Sequence, residues 1–220
     1  MPDGSQGLFR KALGSDFDRL HPMLQARFGI HQAGGMACIG EGMMTKMKPG
    51  NLFARPFLLL GAPDHVTVPE QGKGIPFVIE NYPYLNEEGQ ESVTFVRTFY
   101  FPNKIRRFDA YMSWDEDRNI VKDYIGRKQR LVTDLQMEVD SRGHVMIRSG
   151  KLDWVLGKKR MPAWPGGYAE VEEWYDESDD CIRIRVSIAH PYFGRIYTYE
   201  GWFRCTFVRA TEVPMHVRGR

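Results

Sequence analysis

A chain of 220 residues is long enough to bury a substantial core, and all-β barrels or sandwiches of this length commonly form one domain. Hydrophobic residues at 42% and charged residues at 26% exclude a disordered, collagen-like or low-complexity polymer. Thirty Lys and Arg against 28 Asp and Glu leave a net charge of +2, too little to supply a general field for nucleic acid, which is not expected as a partner.

The aromatic share, 13%, favours sheet, because aromatic and β-branched side chains suit a pleated, half-buried surface. Cys38, Cys181 and Cys205 form an odd set without a CxxC pair. Neither a disulfide framework nor a zinc knuckle is indicated, and reduced thiols in a cytoplasmic setting are expected. The opening MPDGSQGLFRKALG holds no apolar stretch of signal-peptide length. No run approaches the roughly 18 to 20 apolar residues of a spanning helix, so membrane insertion is not expected. Residues 1–14 and 211–220 read as tails around a single β-rich domain over 15–210.

In GSDFDRLHPMLQARFG, Phe17, Leu20, Leu24 and Phe28 recur at helical spacing, with Ser15 or Asp16 to cap the start and Gly29 to close it. Pro22 must take a first-turn position or split the run into two short helices, since inside a helix it loses a bond and clashes. Pro49 and Gly50 open a second helical segment, Asn51 to Leu60, which Pro56 keeps short or kinked. From Val66 onward the pattern becomes strands separated by turn signals, near 66–69, 75–82, 91–101, 105–114, 119–126, 130–139, 144–156, 167–175, 181–190 and 194–208. Connections such as DEDRN at 115–119 and DESDD at 176–180 are short and polar, as antiparallel hairpins require, and leave no room for crossover helices.

Alternation supports half-buried strands. Ile182, Ile184, Val186 and Ile188 share one face, with Arg183, Arg185 and Ser187 on the other. Tyr197, Tyr199, Phe203, Cys205 and Phe207 share a face opposite Thr198, Glu200 and Arg204. The expected fold is mainly β (α+β), a curved antiparallel sheet of about ten strands forming a barrel or half-barrel. Short N-terminal helices would pack against an open end or the concave face. Basic residues outnumber acidic ones between Arg97 and Arg160, whereas Glu170 to Asp180 is an acidic run; outward-facing strand positions account for both.

The stretches LGSDFDRLHPMLQARFG, VTFVRTFYFP, GYAEVEEWYD and AHPYFGRIYTYEGWF, spread from about Leu13 to Phe203, carry a resemblance. On them the chain resembles a bacterial domain family of unknown function that often occurs fused to a saccharopine-dehydrogenase-like nucleotide-binding domain or to a membrane segment. The resemblance implies a stand-alone domain of that type and transfers no catalytic residue.

Arg97 shares a strand face with Val93, Phe95, Phe99 and Phe101. If that face is inward, its guanidinium must either pair with an internal acid such as Asp109 or Glu200, or meet a carboxylate or phosphate on a ligand. Phe99, Trp114, Trp154, Trp202 and Tyr199, together with Trp164 and Trp174, suit the lining of a cavity for a small apolar or amphipathic ligand as well as they suit an ordinary core. For an enzyme using the same cavity without a cofactor, His190, Glu200 and Asp123 are the acid/base candidates; His190 and Glu200 flank the PYFGR turn, where His190 can equally tie down the bend. A third possibility is an interaction module that meets a partner protein through its charged faces. The histidines have no metal-ligand spacing and IGEGMM and QGKGIP lack phosphate-cradle spacing, so neither metal nor cofactor is expected.

Overall fold

The computed structural model describes residues 7–156, 159–162 and 167–218. Helix α1 (Leu8–Leu13) runs into a 3-10 turn (Gly14–Arg19), and α2 (Pro22–Phe28) follows. Pro22 stands in the first turn of α2, whose start is capped by His21 Nδ1 accepting the Met23 N–H at 3.2 Å. The proline therefore splits the helical run in two. Strand β1 (Met36–Pro49), a 3-10 turn (Leu52–Ala54) and α3 (Arg55–Gly61) come next. The remaining strands are β2 (Ile75–Asn81), β3 (Pro83–Leu85), β4 (Glu91–Phe101), β5 (Lys104–Asp115), β6 (Ile120–Ile125) and β7 (Leu131–Val139). They continue with β8 (Val145–Ser149), β9 (Asp153–Leu156), β10 (Lys159–Pro162), β11 (Tyr168–Asp176), β12 (Cys181–His190) and β13 (Gly194–Arg209).

Ten of these strands close into an antiparallel barrel. The order β7-β6-β5-β4-β2-β1-β13-β12-β11-β8 returns to its start because β8 also pairs β7, with Leu135 opposite Ser149 and Val139 opposite Val145. Short β3 pairs the start of β4, and the β9–β10 hairpin joins β7 through Leu131 opposite Trp154. The sheet expected from alternation is thus present and closed. Three local readings change. Met36–Pro49 is a long strand that its pattern conceals, because inward positions 40 and 42 are glycines; a Cβ at Gly40 would come within 2.6 Å of Ile79 and Phe203. Residues 66–69 form no strand, and 144–156 is two strands.

Described residues of both stretches read as tails also pack onto the barrel. Leu8 and Phe9, within the stretch read as a tail, are fully buried, and Phe9 meets Phe28 and Phe95 edge-on at 5.1 and 5.7 Å. Val217, within the other such stretch, is buried against Val96 and Tyr111, so β4 is covered on its outer face as well as its inner one. The N-terminal helices plug one end of the barrel, where Arg19 Nη2 donates to Asp140 O at 2.9 Å and Lys11 pairs with Glu116. Helix α3 lies across the other end and inserts Leu58 inward. Its approach depends on Gly50, which donates to Ile196 O at 2.8 Å; a Cβ there would fall 1.6 Å from Arg195 O.

Candidate functional site

Between plug and lid the barrel retains a cavity of about 480 Å³, a size that suits a small organic ligand. Its wall is mostly apolar, including Phe99, Phe108, Met112, Leu135 and Val186 from the strands and Leu58 from α3. Aromatic side chains pack around one sector, with Phe99 edge-on to Tyr199 at 5.8 Å and tilted against Phe77 at 5.2 Å.

Two charged groups enter this apolar space. Arg97 on β4 stands opposite Phe108 on β5, and Asp123 on β6 stands opposite Met112 on β5, so all four share the inward face of three neighbouring strands. The Arg97 guanidinium lies over the Phe108 ring, 4.9 Å from its centroid, and 5.6 Å from that of Phe95. Arg97 Nε and Nη1 and Asp123 Oδ1 are buried without a hydrogen-bond partner. Desolvation pushes the Asp123 carboxyl up to about 7, against the opposing pull of the Arg97 charge. The two acids expected as partners of Arg97, Asp109 and Glu200, are engaged elsewhere. Asp109 accepts from Arg107 Nε and Nη2, both at 3.1 Å, and bonds the His65 ring at 2.8 Å. Glu200 points outward, 3.9 Å from Arg185.

At the plug, Glu173 lines the cavity and is held by fully buried Arg27, whose Nε donates to Oε2 at 2.9 Å and Nη2 to Oε1 at 3.3 Å. Arg27 Nη1 also donates to Asn81, whose Nδ2 donates to Thr94 O at 2.8 Å. A hydrogen bond with Cys205 and the nearby Arg27 charge bring the Cys38 thiol down to about 7 against burial. Unlike Arg97, Arg27 is a satisfied structural cation. Its pairing across 146 residues leaves no local signal, since an arginine on a short helix ordinarily faces water.

The sequence-derived candidates separate clearly. Arg97, Phe99, Trp154, Tyr199 and Asp123 line the cavity together. Trp114 is buried under the plug, away from the cavity lining, and Trp202 sits on the outer face of β13 under Arg204. Trp164 lies outside the described residues. His190 and Glu200 do not meet: His190 stands opposite Gly194 and Glu200 opposite Arg185, on different stretches of the β12–β13 ladder. His190 Nδ1 accepts the N–H groups of Tyr192 and Phe193 at 3.1 and 3.3 Å and its ring stacks on Phe193, so it ties down the turn. Among the described residues, Asp140, His144 and Glu172 bring potential metal-ligand atoms within 4.8 Å of one another. Their carboxylates already accept from Arg142 and Arg185, and the His144 ring stacks on Trp174, so surface ion pairing accounts for the group.

Residues 20–203 match a family described as a domain of unknown function, DUF4166. The chain is also 34% identical over 192 residues to the uncharacterised protein YndH of Bacillus subtilis (strain 168), a match that covers 86% of this chain and 92% of that protein.

Proposed function

The chain belongs to the DUF4166 domain family, and we propose that its barrel cavity binds a small amphipathic molecule, apolar along its body and acidic at one end. The observation that carries this reading is the buried Arg97 guanidinium, which faces an apolar cavity without a hydrogen-bonding acid of its own. A buried charge left without a partner costs several kcal/mol, on the order of the penalty for breaking a buried pair, and a ligand carboxylate or phosphate recovers it by bidentate bonding. Phe99, Tyr199 and Trp154 supply apolar and aromatic wall for the body of the ligand. The free thiols of Cys38, Cys181 and Cys205 support a reducing, cytoplasmic setting.

Asp123 favours a second reading on the same site. A carboxyl titrating near neutral pH beside a bound ligand is suited to general acid/base work, so a cofactor-independent enzyme would use Asp123 as its proton donor or acceptor, with Arg97 holding the substrate. Native mass spectrometry of the purified protein, followed by denaturing extraction, tests the binding reading. A stoichiometric acidic adduct that Arg97→Met abolishes supports it. A clean apo mass, together with no saturable binding of a fatty-acid panel by the wild type, overturns it.

A further inference from the structure

The lid end of the barrel carries apolar side chains on its outside as well as its inside. In the segment Leu52–Gly61, Leu58 is buried while Leu52 is 78% and Leu59 54% exposed, and neither Leu52 nor Leu59 lines the cavity. A helix with apolar residues on both faces is ordinarily covered on both. Around it stand Trp154, 43% exposed at the cavity mouth, and Tyr192, 84% exposed at the β12–β13 turn, whose neighbour Phe193 contacts Phe57 of α3 at 5.9 Å. Several exposed apolar residues thus gather around the opening of an apolar cavity, while others, such as Leu85, Ile105 and Met215, are exposed away from its lining.

Charge is distributed to match. The segments that form this end, 50–64, 126–131, 149–156 and 190–197, carry Arg55, Arg127, Lys128, Arg130, Lys151 and Arg195 against Asp64 and Asp153. The segments at the plugged end, 8–21, 115–118, 140–142 and 176–180, carry ten acidic residues against Arg10, Lys11, Arg19, Arg118 and Arg142, several of them ion-paired to those acids. A nearly neutral molecule therefore presents a basic, apolar mouth and an acidic base.

We propose that the mouth docks on an anionic lipid bilayer surface, with Leu52, Leu59 and Trp154 entering the headgroup region while the basic rim pairs with lipid phosphates. This is a peripheral contact, since no helix among the described residues is long and apolar enough to cross a membrane. Both requirements of interfacial binding, exposed apolar area and attraction to anionic headgroups, coincide at one end of the molecule. The inference rests on the amphipathic-ligand reading of the cavity, because a bilayer is where such a molecule partitions.

The test is flotation of the full chain with vesicles of phosphatidylcholine alone or mixed with phosphatidylglycerol, at low and high salt, while native mass spectrometry follows any co-purified molecule. Wild type is expected to partition at least ten-fold more strongly to the anionic vesicles, and high salt to reverse this. The double variant Leu52→Glu with Leu59→Glu is expected to lose at least ten-fold of that binding while its melting curve stays unchanged, whereas Arg97→Met keeps it. Failure of wild type to bind anionic vesicles, or binding untouched by the double variant, overturns docking. So does a concentration-dependent dimer that the double variant abolishes without any vesicle binding, which would assign the surface to a second copy. Vesicle binding without any cavity ligand would instead sink the cavity reading and leave docking standing.

Discussion

Arg97 and Asp123 enter the same low-dielectric space, and the Arg97 charge pulls the Asp123 carboxyl down against its desolvation. Replacing Arg97 with Met removes the charge that favours the Asp123 carboxylate, and its titration is expected to move above about 7, as carboxyl NMR across a pH series would show. Asp123 also makes stability depend on pH. Its folded value lies above that of an unfolded aspartate, so between about pH 4 and 7 the folded state holds more protons than the unfolded one, and stability falls as pH rises through that window. Asp123→Asn is expected to flatten this slope in urea denaturation, with the largest gain relative to wild type at the alkaline side of the window. The aromatic company of Arg97 was legible, because period-2 alternation put it on one strand face with Phe95, Phe99 and Phe101. That no acid hydrogen-bonds its Nε or Nη1 was not, since strand register across the barrel decides which carboxylates turn inward and Asp109 is claimed by Arg107 and His65. The His190 and Glu200 pairing failed for the same reason: proximity to one turn says nothing of which face each residue takes.

The plug and the lid are held by different physics. Arg27 and Glu173 form a buried ion pair that bolts α2 to β11, and removing one partner leaves the other charge uncompensated. Glu173→Gln is therefore expected to cost about 3–5 kcal/mol in denaturant unfolding. The lid depends on backbone approach. Gly50→Ala would drive a methyl group into Arg195 O, so α3 is expected to detach and limited proteolysis to cut within 51–61 while the barrel resists. The sequence marked both helical segments through their prolines and apolar spacing. It concealed β1, because Gly40 and Gly42 erase the alternation that a strand is recognised by. Neither helical segment carries a mark of which end of the barrel it occupies, since that follows from where the hairpins turn.

Closure of the barrel joins the whole molecule into one object with two unlike ends. The short polar connections between strands made an antiparallel sheet legible, and the number of strands made curling expected. The pairing of β8 with both β7 and β11 was hidden, because strand neighbours across a closing seam leave no local pattern. That seam also governs time as well as shape. A ring of ten strands has no terminal strand from which hydrogen bonds can peel away one by one, so its amides must wait for a cooperative opening of the whole wall. Deuterium uptake is expected to divide the sheet sharply: β3 and the β9–β10 hairpin, which hang outside the ring, exchange early, while the amides of β2, β4, β12 and β13 exchange together and last.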